Sequence, residues 1–199
     1  MFIYKRGSHI LVLLLYVDDI VLTGSSHDWL ISFISTLAKE FEIKDIGPLH
    51  YFLGLEVTDL HPELYLPQAK YAFDLLQRSA MLKCKPCNTP LSAKSKLSAT
   101  DGTPLFDATE YSQIVGFLQY LTLTRPDIAY DVHHVAQFMS SPRTTHLTAV
   151  KQILRYLKGT LDYGLEFRPA PGLPSLHAFS DADWAGCPDT RRSTTGYCI

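Results

Sequence analysis

ILVLLLYVDDIVLTG, residues 10–24, is the stretch on which the fold turns. Asp18 and Asp19 stand side by side, after Tyr16 and Val17, inside a run that is otherwise apolar. Ile10 to Tyr16 and Ile20 to Thr23 read as two strands joined by a tight acidic turn. Both strands are apolar on both faces, so both faces of the hairpin are expected to be covered. An acid buried in such a strand loses its hydration, and two neighbouring acids also repel each other. A divalent cation relieves both costs, because Mg2+ takes a few carboxylate oxygens and completes its shell with water and substrate phosphates. The competing reading of the same residues is a solvent-exposed type I′ turn, in which Asp is common. The Tyr before the pair and the long apolar flanks favour metal binding.

Working outward, the chain has 199 residues, 46% hydrophobic and 19% charged, which is ordinary for a globular protein with enough core to fold. Lys5 and Arg6 precede the apolar run, but it ends in two aspartates and has no small-residue cleavage site, so no signal peptide is expected. It is also too short to span a bilayer, and no membrane association is expected. The formal charge is −2. Between His61 and Thr100, however, Lys70, Arg78, Lys83, Lys85, Lys94 and Lys96 face only Glu63 and Asp74. That segment reads either as a phosphate-facing surface or as a solvated lysine-rich one. Cys84 and Cys87 have C-x-x-C spacing, without a second pair to complete a zinc site. With Cys187 and Cys198 they read as reduced thiols of an intracellular protein, cytoplasmic or nuclear.

Gly24-Ser25-Ser26 is a turn, after which Asp28 is the expected cap of a helix with Leu30, Ile31, Phe33, Ile34 and Leu37 on its apolar face. Tyr51 to Thr58 reads as a strand, Leu64-Tyr65-Leu66 as its short partner, and Pro67 to Met81 as a helix. Asn88 to Pro104 has no apolar period and reads as a loop or linker. Three helices follow. The first starts at Asp107, in capping-box spacing with Glu110, and buries Tyr111, Ile114, Val115, Leu118 and Leu121. The second opens at Pro126 and uses Ile128, Val132, Val135 and Met139. The third starts near Thr144, uses Leu147, Val150, Ile153, Leu154 and Leu157, and stops at Gly159. A Pro- and Gly-rich turn from Pro169 to Pro174 leads to a strand, Leu176 to Ser180, that delivers Asp181 and Asp183. Thr194 to Ile199 reads as its partner. His133 and His134 are neighbours on a helix and point about 100° apart, so they read as structural or surface histidines.

LLLYVDDIVLTG resembles the Y-x-D-D motif of reverse transcriptases in its copia-type retrotransposon form. The likeness continues through FEIKDIGPLHYFLGLEV, YSQIVGFLQYLTLTRPDIAY and AVKQILRYLKGT. It ends in SDADWAGCPDTRRSTTGY, similar to the start of the family's ribonuclease H domain. Short plant open reading frames, some mitochondrial, look alike, so an organellar origin is open.

The resemblance implies an α+β chain made of several pieces. Residues 1–66 would be a partial palm with the Y-x-D-D hairpin and a primer-grip-like hairpin. Residues 67–87 would be a thumb-like helix, 88–106 a linker, 107–168 connecting helices and 169–199 the start of a ribonuclease H-like domain. Asp18 would be a catalytic Mg2+ ligand, Asp19 its weaker partner, and Tyr16 would lie under the primer end. Phe52, Leu53 and Gly54 match the primer-grip hairpin, and Lys44 falls where a lysine meets the triphosphate. Asp181 matches the first metal-binding carboxylate of ribonuclease H. Asp183 reads as a turn residue, with Trp184-Ala185-Gly186 and Arg191-Arg192-Ser193 joining the two strands.

The implied activity is two-metal nucleotidyl transfer on an RNA template, with RNA–DNA hybrid and the remainder of the Pol polyprotein as partners. The third palm aspartate, the fingers and most of ribonuclease H have no counterpart here, so the chain alone is expected to be inactive and to hold Mg2+ weakly. One alternative is a non-catalytic nucleic-acid-binding relic of a transposable element. Another is a small Mg2+-dependent phosphohydrolase, which requires a third acid near Asp18, with Asp45, Glu56 and Asp59 as candidates.

Overall fold

The computed structural model describes residues 1–92, 96–169 and 175–198. Lys94, part of the Pro169 to Pro174 turn and Ile199 lie outside them. The chain is α+β and divides into two compact units, Met1–Val57 and Thr58–Ile199.

The first unit is built on an antiparallel meander of β1 (Phe2–Arg6), β2 (His9–Tyr16) and β3 (Asp19–Gly24), in that order across the sheet. The expected hairpin is β2–β3, in register from Leu11↔Gly24 to Tyr16↔Asp19. The added strand β1 turns through Gly7 at φ +60°. Period-two alternation puts Tyr4, Leu11, Leu13 and Leu22 on one face and Ile3, Ile10, Val12, Leu14 and Val21 on the other. Helix α1 (His27–Glu40) covers the first face, where Trp29 stacks on His9 with ring centroids 4.7 Å apart. Phe33 closes a small apolar cavity there with Phe2, Leu11 and Leu22.

The other face is open, with Ile3 63% exposed and Ile10 and Leu14 more than a third exposed. The expected two-sided cover is therefore corrected: the unit has one helix, and one helix covers one face. Asp28 is not the cap either. Ser26 takes that position, and Asp28 lies in the first helical turn, where its charge favours the helix dipole. Tyr51 to Thr58 is likewise not one strand. Leu53 at φ +50° and Gly54 at φ +81° reverse the chain between β4 (Tyr51–Phe52) and β5 (Leu55–Glu56). Two successive left-handed residues make the turn that matches strand twist in a hairpin.

In the second unit, α2 (Ala69–Arg78), α3 (Thr109–Leu121), a 3-10 turn (Pro126–Ile128), α4 (Ala129–Ala136) and α5 (Thr144–Gly159) enclose a single apolar core. The buried face of α3 is the one its periodicity predicts, and Val132, Val135, Val150, Ile153, Leu154 and Leu157 are buried as expected, whereas Met139 lies beyond the end of α4 and Leu147 is only half-buried. Asp107 accepts a hydrogen bond from the Thr109 backbone N–H at 2.8 Å, and the Thr109 hydroxyl first and this N–H second hold its carboxyl below the usual range. The N-cap position falls on Ala108 and the Asp107 bond to Thr109 is an Asx turn just ahead of the helix, so among the described residues the expected capping box of Asp107 with Glu110 is not formed.

Two further features escaped the sequence. First, β6 (Thr58–Asp59), β7 (Leu64–Pro67) and β8 (Gly164–Phe167) form one antiparallel sheet in that order. A Cβ on Gly164 would collide with the Leu66 carbonyl oxygen across the sheet. Gly164→Ala is therefore expected to cost about 1–3 kcal/mol, the range for overpacking, read as a lower urea midpoint. Second, the described parts of the 88–104 segment, residues 88–92 and 96–104, are tied down rather than free. Leu91 and Leu97 are buried, and Arg143 Nη1 donates to the Thr100 and Gly102 carbonyls at 3.1 and 2.8 Å. Buried His146 bridges the Arg143 backbone N–H and the Ser98 carbonyl, both at 3.0 Å. β9 (Phe179–Ala182) and β10 (Thr195–Cys198) close the described chain as an antiparallel pair. Compared with the expected Leu176 to Ser180, the first strand lies further along, so Asp181 is within it.

Candidate active site

The β2–β3 turn is the shortest a hairpin allows: Val17 and Asp18 are its only central residues, between the paired Tyr16 and Asp19. Val17 sits at φ +50° and is 79% exposed. A β-branched side chain is a poor fit to this left-handed conformation, which costs roughly 1–2 kcal/mol for an L-residue. Backbone strain held in place by flanking strands is a recurrent mark of functional turns. Val17→Asn is accordingly expected to raise stability by about 1 kcal/mol, because Asn tolerates this region. Denaturant unfolding followed on the hairpin-bearing unit checks it, and an unchanged or lower midpoint would contradict strain at Val17.

Asp18 and Asp19 are both exposed, and among the described residues neither accepts a hydrogen bond or ion pair. The desolvation argument for a cation is thereby corrected, since the tip is in water. What remains is two uncompensated negative charges on consecutive residues, displayed by a stiff turn. Such a donor set fits Mg2+, which is commonly held by one or two carboxylates plus water and phosphate and not by an all-protein cage. No group of three His, Cys, Asp or Glu side chains forms a metal site among the described residues. The phosphohydrolase reading, which needs such a third acid, gains no support.

The other anticipated residues fall in separate places. Tyr16 is 55% exposed, at the strand end directly opposite Asp19. Half-buried Phe52 flanks the Leu53-Gly54 turn of the second hairpin in the same unit, and Lys44 is exposed on the irregular segment between α1 and β4. Asp181 belongs to the second unit, exposed on β9 opposite Gly196. Asp183 acts as a turn residue: its Oδ1 accepts the Thr194 backbone N–H at 2.5 Å, and its own N–H donates to the Thr194 carbonyl at 3.1 Å. A Cβ on Gly186 would run into Asp183 Oδ2, so a larger residue there would displace the Asp183 carboxylate. Arg191 and Arg192 are exposed, Arg191 at φ +57°.

On α4, His133 is exposed and His134 packs between the Tyr130 and Phe138 rings; burial, then the charge of His146, lowers the pKa of His134. Cys84 and Cys87 are free thiols.

One polar centre was missed by the sequence reading. Arg125, 2% exposed, makes a two-pronged pair with Asp127 at 2.9 and 2.7 Å. It also donates to the Thr160 carbonyl at 2.8 Å and hydroxyl at 2.7 Å. The Tyr163 ring lies 5.4 Å from the guanidinium, and the Tyr156 hydroxyl donates to Asp127 at 2.9 Å. Next to it Thr124 donates to Gln68 at 2.8 Å, both buried. The only linear signal was the Thr-Arg-Pro-Asp run; no spacing rule joins it to Thr160. This centre ties the end of α3 to the end of α5 and is structural.

Residues 1–93 match the family described as reverse transcriptase (RNA-dependent DNA polymerase). Over its whole length the chain is 47% identical to the retrovirus-related Pol polyprotein from transposon RE1 of Arabidopsis thaliana, covering 14% of that protein. It is 38% identical to the Pol polyprotein from transposon TNT 1-94 of Nicotiana tabacum, with 98% of the chain and 15% of that protein aligned. An uncharacterized mitochondrial protein of Arabidopsis thaliana is 49% identical over 94% of the chain and 77% of its own length. No solved structure matches. The chain thus spans about a seventh of the Pol polyproteins it matches. It belongs to the copia-type retrotransposon Pol family, of which it carries a reverse-transcriptase-like segment.

Proposed function

We propose that this chain supplies the Y-x-D-D hairpin of the palm of a larger RNA-directed DNA polymerase and has no polymerase activity alone. The observation that carries the reading is the hairpin tip: two exposed carboxylates, unpartnered among the described residues, next to Val17 at φ +50°. Asp18 and Asp19 would hold Mg2+, which when bound supplies positive charge to the phosphoryl oxygens in transfer. The chain's own contribution is placement. Tyr16 offers an aromatic face to a terminal base, and such stacking tolerates any sequence. The Phe52-Leu53-Gly54 turn brings backbone and apolar side chains close to a primer strand, and Lys44 offers a point charge to phosphate. Helix α2 and the loop after it take the thumb role. β9 and β10 open a ribonuclease H-like fold with Asp181 as its first acid.

The test is extension of a DNA primer on an RNA template, by this chain and by a longer Pol product containing it. Incorporation only by the longer product is expected. Template-dependent synthesis by the chain alone, lost in Asp18→Asn, would overturn the second half of the proposal.

A second reading, nucleic-acid binding without catalysis, is favoured by Lys83 and Lys85, both exposed and outside any ion pair among the described residues. It predicts salt-dependent binding to RNA–DNA hybrid whether or not the longer product polymerises.

A further inference from the structure

Helix α5 carries Lys151, Arg155 and Lys158 and no acid in its 16 residues. Spacings of four and three place the cations in one stripe about 10 Å long, at 1.5 Å per residue. Ala149, Val150, Ile153, Leu154 and Leu157 occupy the buried side, so the stripe lies away from the core. Lys151 is exposed, while Arg155 and Lys158 are half-buried.

The loop after α2 adds to this stripe. Arg155 Nε donates to the Lys85 carbonyl at 2.8 Å, and the Cys87 backbone N–H donates to the Arg155 carbonyl at 3.3 Å. The Cys87 thiol donates to the Gln152 carbonyl at 3.5 Å. Gly159 leaves room for Pro86, whose Cβ would stand 3.2 Å from a Cβ placed on that glycine. The exposed Lys85 is thereby fixed beside Arg155, although 70 positions separate them. Residues 81–88 also contain no acid. Among the described residues no salt bridge engages Lys85, Lys151, Arg155 or Lys158, so no carboxylate neutralises this group.

We infer that Lys85, Lys151, Arg155 and Lys158 form a docking face for the sugar–phosphate backbone of a nucleic-acid duplex. Like charges gathered without counter-charges repel one another, and a polyanion removes that cost while releasing its own counterions. A duplex presents one charge per about 1.7 Å of axis, so a 10 Å stripe faces several phosphates at once. Point charges on a helix surface address phosphates, which makes the recognition one of backbone and not of sequence. The inference rests on the nucleic-acid partner of the proposed function but not on polymerisation.

The experiment measures binding of the full chain to a fluorescent RNA–DNA hybrid duplex across a salt series. Lys151→Ala/Lys158→Ala is expected to weaken affinity about tenfold and to lower the salt slope by about 2, since each lost phosphate contact removes about 0.9. Arg168→Ala removes a cation already paired with Glu166 and Glu63 and is expected to change affinity less than twofold, an estimate from the weakness of exposed pairs. Lys151 is exposed and Lys158 is only half-buried, away from the core side of α5, so the melting midpoint is expected to hold, and Lys151→Gln/Lys158→Gln repeats the test if it does not. No binding by the native chain, or equal slopes for native and double variant, overturns the inference. Binding to phosphatidylserine vesicles in preference to the hybrid overturns it too. Primer extension by the longer product is read separately, so loss of binding with extension intact, or the converse, shows which proposal has failed.

Discussion

An Arg125→Met variant is expected to lose about 3–5 kcal/mol of stability, the range for breaking a buried ion pair by removing one partner. The guanidinium is 2% exposed and spends its donors on Asp127 and on the carbonyl and hydroxyl of Thr160. Met fills the volume but leaves those acceptors without partners, and an unsatisfied buried polar group costs its full desolvation. The Asp127 side chain is 31% exposed and keeps the Tyr156 hydroxyl, which pulls the value toward the lower end of the range. Urea unfolding checks it, and a loss under about 1 kcal/mol would show that the pair carries no more than a surface bridge.

Acid dependence follows from the same pair. Burial pushes the Asp127 carboxyl up, but the hydrogen bonds and charge of Arg125 and the Tyr156 hydroxyl outweigh it and hold it below its usual 3.8. A carboxyl whose pKa is lower in the folded state contributes stability in full above the unfolded value. That contribution fades as pH falls through the folded one. Asp127→Asn is therefore expected to flatten the fall in stability below about pH 4, while lowering stability at neutral pH. A stability curve over pH 2–7, compared with the native chain, reads both.

In the longer Pol product, Asp18→Asn is expected to reduce primer extension at least a hundredfold, the order found when one charge-stabilising group leaves a reacting centre. Asn keeps the size and the turn, so the β2–β3 register is retained and the loss falls on the chemistry. Asp19→Asn is expected to be the milder change, in keeping with a secondary partner role. Asp18 is a central residue of the turn, whereas Asp19 is paired in register with Tyr16 at the strand end. Single-turnover extension with saturating nucleotide separates lost chemistry from weakened binding. Near-native extension by Asp18→Asn would remove this residue from the active site.

The period of the apolar residues was enough to place α3, α4 and α5, because a helix in a core must show the core one stripe, and Tyr111, Val132 and Ile153 each fall on it. The YVDD turn was equally legible, since two acids between apolar arms have few places to sit. Whether those arms are covered was not legible. That depends on how many elements are available to pack on them, and α1 closes a single face. Strand β8 was hidden because four residues give no period and the pairing with β7 spans about a hundred positions. The FLGL reversal was hidden because a left-handed Leu53 is tolerated only when the following glycine and the pairing of β4 with β5 support it.

By itself, then, the sequence determined the family, the helical faces and the acidic hairpin, all of which rest on local periodicity and residue order. Only the tertiary structure decided that Asp18 and Asp19 stand in water, that Arg125 binds Asp127 and Thr160, and that Lys85 joins the α5 stripe. The physical reason is common to all three: solvation and charge pairing depend on neighbours distant in the chain, and linear spacing does not encode them.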